Sequence, residues 1–456
     1  MVLTPERTVR LGAGAGFAGD RIDPAVELAR HAELDYLIFE CLGERTVAAG
    51  QARRAVDPSL GYDPLLVRRI TAVIEPALAA GTTVITNGGS ANPEAGAKAV
   101  EDALRKLPLT RPVRIAAVTG DDVLDAVRAE DPVIWETGGR VSAHDAGLVS
   151  ANAYLGAEAL LPALAEEADV IITGRVADPS LYLAPLMHEF GWEADDWATL
   201  GRGSCVGHLL ECAGQLTGGY FADPGVKTVP RLGSLGFPYA DVSASGEAAL
   251  AKLPEAGGIL DERTCSEQLL YEVNDPRHYL TPDVTADFSS VEFTRTGSDR
   301  VEVRGASGNP RPADLKISLG FRGGWIGEGQ ISYAGPRAEE RARLAGDVVV
   351  ERLAVVHGLA PEDLTVELIG TGSAFRGAPG TSSGVTVPEV RLRVSGRFDS
   401  EEEAALVGWE VESLYTNGPA GGGGARSSTS ETVSIRSASL PRKTVTPRVT
   451  LREVGA

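Results

Sequence analysis

Lysine is almost missing from this chain. Only Lys98, Lys106, Lys227, Lys252, Lys316 and Lys443 occur among 456 residues, and the formal net charge is −20. Such a charge argues against nucleic-acid binding, which needs a basic footprint to neutralise phosphates. It leaves room for a small anionic ligand held by a few local arginines. Cysteine is scarce too: Cys41, Cys205, Cys212 and Cys265 form no disulfide framework, and no CxxC pair points to zinc. No run approaches 18 apolar residues, and the opening MVLTPERTVRLGAGAG has no signal-peptide core. The expectation is a soluble, cytoplasmic protein with reduced thiols and no membrane partner. Aromatic residues are 5% while glycine reaches 54 residues, which favours tight turns and close backbone approaches.

Short apolar runs alternate with amphipathic segments over the first 200 residues. Strands are expected at Val9–Gly12, Tyr36–Cys41, Thr83–Asn87, Ile115–Thr119, Leu148–Asn152 and Val170–Gly174. Helices are expected at Pro24–Ala32, Pro64–Ala80, Glu94–Lys106, Asp122–Ala129 and Ala157–Glu167. Continuous apolar strands between helices predict an α/β fold with a mostly parallel sheet covered by helices. No clear eighth βα unit follows, so an open, doubly wound sheet is favoured over a barrel. Beyond about residue 220 short β-type stretches dominate, extending a first domain over 1–335. Residues 336–456 read as a smaller α+β domain: helix Ala338–Val356, strand Leu364–Ile369, a mobile loop FRGAPGTSSG, strand Glu389–Val394, helix Glu401–Leu414 and strand Ser430–Ala438.

Polar and glycine-rich clusters follow the early strands, where parallel sheets bind ligands. Asp20, Arg21, Glu40, Asn87, Gly88, Asn152 and Arg175 fall in them. GAGAGFAGDR is spaced as Gly12-x-Gly14-x-Gly16, then Gly19, which is no dinucleotide fingerprint. Asp20 reads either as a helix cap or as part of a ligand loop, with Arg21 able to orient an anion. TNGGSANP offers Asn87 and free amides around Gly88 before a helix start, and it is no Walker loop. Arg175 has a fork suited to a carboxylate, whereas Asp178 before Pro179 reads as a helix cap. Four glycines in YTNGPAGGGGARSS put Gly421 and Gly422 in a backbone that can approach a ligand or simply turn.

GSCVGHLLECAGQLTGGYF carries the sharpest chemistry. On a helix, Glu211, Cys212 and Gln215 lie within about 60° of His208, opposite Val206, Leu209, Leu210, Ala213 and Leu216. That polar stripe has no Lys or Arg, so a cleft lining competes with a plain solvated face. His208 and Glu211 can act as acid and base if burial separates their proton affinities. Metal ligation lacks a third residue and an HExxH pattern, so none is expected. A buried, inert Cys212 is favoured over a nucleophile.

The strings GFAGDR, DYLIFECLGERT, VSANAYLGAEALLPAL, DVIITGRVADPSLYLAPLMHEFGW, GHLLECAGQLTGGYFADP, EQLLYEVNDPRHYLTPDVTADF and YTNGPAGGGGA together resemble the acyclic terpene utilization (AtuA) family along nearly the whole chain. The resemblance implies a role in catabolism of branched isoprenoid acyl-CoA compounds. Longer members carry a further C-terminal segment, which suggests either a separately encoded small partner subunit or none.

These readings converge on a lyase or hydro-lyase for a branched hydroxyacyl thioester or related carboxylic acid. Glu211, His208 and Glu40 would move protons, while Asp20, Arg21, Asn87, Gly88, Asn152, Arg175, Gln215, Gly421 and Gly422 would bind substrate. No cofactor is expected beyond the CoA portion of a thioester, and the assembly is expected to be a homo-oligomer. A partner-dependent, non-catalytic subunit and a metal-dependent hydrolase remain as alternatives.

Overall fold

A computed structural model describes residues 7–375 and 387–455. Most of the FRGAPGTSSG segment lies outside the described residues. The chain divides into two compact units, Met1–Gly320 with Ile435–Ala456, and Phe321–Ser434.

The strands of the first unit are β1 (Thr8–Ala15), β2 (Tyr36–Phe39), β3 (Thr83–Thr86), β4 (Val113–Thr119), β5 (Leu148–Ala153), β6 (Val170–Thr173), β7 (Pro238–Ser243), β8 (Ala248–Lys252), β9 (Tyr279–Leu280), β10 (Thr285–Asp287), β11 (Glu292–Gly297), β12 (Arg300–Arg304) and β13 (Ser307–Asn309). Two long strands, β14 (Asp314–Ala334) and β17 (Gly422–Pro441), run across the unit boundary. Between them the second unit adds β15 (Leu364–Ile369) and β16 (Glu389–Phe398), and β18 (Arg448–Val454) returns to the first.

Ten strands form one open sheet in the order β11-β12-β8-β7-β1-β2-β3-β6-β4-β18. Its centre, β1-β2-β3-β6-β4, is parallel. Both flanks are antiparallel. The sheet is therefore mixed, which corrects the doubly wound parallel expectation; no barrel forms among the described residues. β7–β8 and β11–β12 are hairpins joined by short turns and so pair antiparallel, while β7 against β1 and β12 against β8 are long-range antiparallel pairs. The parallel strands are apolar and almost wholly buried, as strands covered on both sides must be. β5 leaves this sheet and pairs with β14, Tyr154 N–H donating to Lys316 C=O at 3.0 Å.

The helices of the first unit are α1 (Asp23–His31), α2 (Glu44–Val56), α3 (Leu66–Ala80), α4 (Pro93–Leu104), α5 (Leu124–Glu130), α6 (Leu161–Ala165), α7 (Asp178–Phe190), α8 (Trp197–Glu211) and α9 (Glu262–Leu270). α2 was not expected, since its Ala-, Gly- and Arg-rich sequence has little apolar periodicity. α7 and α8 pack closely because Gly207 faces Pro179: an added Cβ would sit 2.6 Å from the Pro179 carbonyl oxygen and 2.8 Å from its Cα. Every residue of α8 from Gly203 to Glu211 is buried, polar stripe included.

The second unit is an α+β layer. Its sheet runs β15-β16-β14-β17, and α10 (Ala338–His357) and α11 (Glu401–Asn417) pack against it. Tyr333, Val349, Leu392, Val407 and Val411 centre the core. This unit starts earlier than the expected 336 and ends at 434, because β18 pairs with β4 in the first unit.

Candidate functional site

β2, β3 and β6 are neighbours in the sheet, so the residues that follow them meet at one carboxyl-terminal edge. Glu40 comes after β2 and is 7% exposed. Its Oε1 accepts from Leu42 N–H at 2.8 Å and from Asn87 Nδ2 at 2.9 Å; its second oxygen takes part in neither bond. Asn87 Oδ1 in turn accepts from Cys41 N–H at 2.7 Å. Burial, then the charge of Asp178, pushes the Glu40 carboxyl up to about 8 against these bonds. Burial therefore favours the protonated form of Glu40.

Arg175 follows β6 and is 2% exposed. Its guanidinium donates to the Leu42 carbonyl, lies 3.2 Å from Asp178 and stacks 4.1 Å above the Tyr154 ring. Although burial opposes its charge, Asp178, Tyr154 and nearby glutamates hold Arg175 protonated. Tyr154 O–H donates to Glu44, and Lys316 Nζ lies 3.2 Å from the same carboxylate. Burial would raise Glu44, yet Tyr154, Arg175 and Lys316 hold it down to about 2. One edge thus carries one carboxyl raised by burial and one held ionised by its neighbours.

The α8 pair approaches the same region. Asp196 caps the helix through Thr199 N–H at 3.2 Å, and the last residue is Glu211. His208 Nδ1 contacts Glu211 Oε1 at 2.7 Å, while Nε2 contacts the Leu269 carbonyl at 3.1 Å. That carbonyl belongs to the last turn of α9, an orphan acceptor that favours a donor and positive charge. With Nε2–H committed there, one further proton is shared between Nδ1 and the carboxyl. Tyr279 and Phe288 rings stand 5.0 and 5.6 Å from the imidazole. Burial opposes the His208 charge but Glu211 overrides it, raising the imidazole. Burial lifts Glu211 to about 7, with His208 pulling down and Asp178 and Glu272 pushing up.

Asp178 acts on both Glu40 and Glu211, and the Cys212 thiol is raised by burial and then by both carboxylates. Strand ends and helix therefore share one charged neighbourhood. Beside it is a hollow of about 500 Å³ whose polar lining is Asp20, Arg21, Cys212 and Gln215. Phe17, Tyr220, Leu235, Phe237 and Tyr271 contribute most of its apolar wall. Gly16 lets β1 reach this point, since an added Cβ would meet the Cys212 backbone at 2.6 Å.

A family model for the acyclic terpene utilisation family protein AtuA matches residues 9–451. The chain belongs to the AtuA family. Membership implies a role in acyclic terpene utilisation. No curated protein and no solved structure matches the chain. Among the described residues, no helix of this AtuA chain is long and apolar enough to cross a membrane, and no three His, Cys, Asp or Glu are grouped to hold a metal.

Several residues expected to touch a ligand in this AtuA chain are instead committed to each other. Asn87 orients Glu40, and Gly88 N–H is bonded to Thr86 Oγ1 at 2.9 Å. Asn152 donates to Asp121 at 2.9 Å, and Asp121 also receives Arg175 N–H. Arg175 is buried with its Nη1 on the Leu42 carbonyl and its Nη2 beside Asp178. His208 has both ring nitrogens engaged. Asp20 is not a helix cap; it accepts from Gly16 N–H at 2.9 Å and Arg21 N–H at 2.8 Å. Nor does Asp178 cap α7: Ala177 holds that position and Asp178 pairs with Arg175. Gly421 and Gly422 lie in the second unit, where Gly421 takes φ +78° at the turn into β17. Glu44, Tyr154, Lys316 and Gln268 were missed, and only the rarity of lysine singled out Lys316.

Proposed function

We propose that this protein is a lyase or hydro-lyase acting on a branched hydroxyacyl thioester or related carboxylic acid. One observation carries the reading: two buried carboxyls, Glu40 at about 8 and Glu211 at about 7, are poised near neutrality around one neighbourhood. Carboxyls raised by burial toward neutrality suit general acid and base work. Glu211 takes a proton beside a carbonyl, through the oxygen that does not face His208. His208 is a positioning residue that holds Glu211 and accommodates the proton it gains. In the hydro-lyase reaction Glu40, protonated through burial, protonates the β-hydroxyl that leaves as water; in the lyase reaction Glu211 instead takes the β-hydroxyl proton and Glu40 protonates the α-carbon released. No step is a redox step. The family's role in acyclic terpene utilisation supports a branched aliphatic substrate.

Incubation of the purified chain with branched hydroxyacyl thioesters, followed by mass spectrometry, tests the assignment. Glu211→Gln keeps a partner for His208, so the fold should persist while turnover falls about 10²- to 10⁴-fold. Unchanged turnover in that variant, with a normal melting curve, removes Glu211 from the reaction.

A further inference from the structure

A second cavity of the first unit holds about 530 Å³ and shares no lining residue with the hollow beside Cys212. That volume falls within the roughly 300–1,000 Å³ of small-molecule sites. Leu155, Leu315, Val445 and Val449 give it apolar walls, the first three buried and Val449 half-buried. Among the described lining residues only Glu158 and Arg442 are charged, and they differ in their partners. Glu158 Oε2 accepts from Arg311 Nη1 at 2.7 Å, so its charge is met. Arg442 Nη2 donates to the Pro282 and Pro312 carbonyls at 2.7 and 3.1 Å, which leaves Nε and Nη1 outside those bonds. No carboxylate among the described residues forms an ion pair with Arg442. Asp283, the nearest in influence, is turned to Ser180 Oγ and the Ala157 N–H. Burial and then the charge of Arg311 lower the Arg442 guanidinium, against the pull of Asp283 and Glu158. A half-buried cation beside apolar walls and without a counterion favours an anion.

We infer that this cavity binds an aliphatic monocarboxylate, its carboxylate on Arg442 and its chain along Leu155, Leu315 and Val445. One negative charge fits, because Arg311 is already neutralised by Glu158 and the remaining wall is apolar. A phosphate dianion would bring a second charge beside Glu158 with a single cation to meet it. The site is independent of the reaction proposed above. It backs onto the same framework, since Leu155 follows Tyr154 and its N–H donates to the Arg175 carbonyl at 3.1 Å.

Isothermal titration of the full chain with octanoate, octanol and acetate tests this. Octanoate should bind, with octanol and acetate each at least about tenfold weaker. Arg442→Gln should weaken octanoate by a similar factor. Val449→Phe, which keeps Arg442 and its two carbonyl bonds but fills the space for the chain, should do the same and decides the matter if Arg442→Gln melts early. Arg21→Gln alters only the hollow beside Cys212 and should leave octanoate binding unchanged. No binding of octanoate, octanol binding as tightly, full affinity in Val449→Phe, or an affinity lost with Arg21 instead overturns the inference. Titration reads affinity without turnover, so the activity of Glu211→Gln bears on the reaction alone.

Discussion

Glu211 in the first unit and Glu410 in the second are both buried helix carboxylates that contact a histidine, yet their charge is governed differently. Glu410, on α11, receives Arg352 Nε at 2.7 Å and Nη2 at 3.0 Å, and lies 2.8 Å from His357 Nε2. Burial would raise it, but the forked guanidinium and the imidazole hold it below the usual carboxylate range. Glu211 has an imidazole and no guanidinium, and burial keeps it near 7. Glu40 takes its hydrogen bonds from the neutral Leu42 N–H and Asn87 amide, and burial and the Asp178 charge raise it too. A carboxylate locked by arginine serves packing and stays an anion. One buried without that lock changes protonation near neutral pH, which is what proton transfer asks of it.

Changing Glu40 gives the largest contrast. Its folded value, about 8, lies above the ordinary 4.5. The folded state therefore binds a proton that the unfolded chain has lost between those values. Stability then falls as pH rises from about 4.5 to about 8 and levels off above. Glu40→Gln should flatten that limb, gaining about 3 kcal/mol at pH 8.5 in chemical denaturation. A limb of equal slope in the variant would break the comparison.

Gly207→Ala pushes a methyl group into Pro179 and should loosen the α7–α8 contact that encloses the acid pair. A loss of about 2 kcal/mol is expected, with Glu211 shifting back toward an ordinary carboxyl as water enters. Thermal melts and an infrared titration of the carboxyl band read the two effects together. Arg352→Leu sharpens the other side with the smallest effect of the three, since the guanidinium is largely exposed. The lowered Glu410 contributes stability above the ordinary carboxylate pKa and loses it as pH falls through its depressed value. Without Arg352 that acid limb should flatten; a variant as acid-sensitive as the parent would show that the lock is elsewhere.

The parallel centre of the sheet was legible because burial on both faces leaves uninterrupted apolar runs such as Val170–Thr173. Its antiparallel flanks were not, since exposed β11 and half-buried β7 and β12 lack continuous apolar runs and the pairs β1–β7 and β8–β12 are long-range. β5 looked like one more buried strand, and nothing local marks its departure to pair with β14. The chemistry was legible where helix spacing sets it, as for His208 and Glu211. It was illegible where the fold sets it: Glu44, Tyr154 and Lys316 meet across 110 and 162 residues of sequence. Asn87 and Arg175 were found at their strand ends, but sequence conceals the neighbours they pair with, Glu40 for Asn87 and Asp178 for Arg175.

β18 closes one margin of the large sheet by pairing with β4, and Thr119 and Arg448 are 329 residues apart. During translation, β4 emerges long before the segment that covers it, with the whole second unit made in between. At roughly 10 residues per second the margin of β4 stays bare for about half a minute. A nascent chain of this protein therefore passes through a stage with an unpaired, apolar ribbon on display, the form in which neighbouring chains most readily zip together.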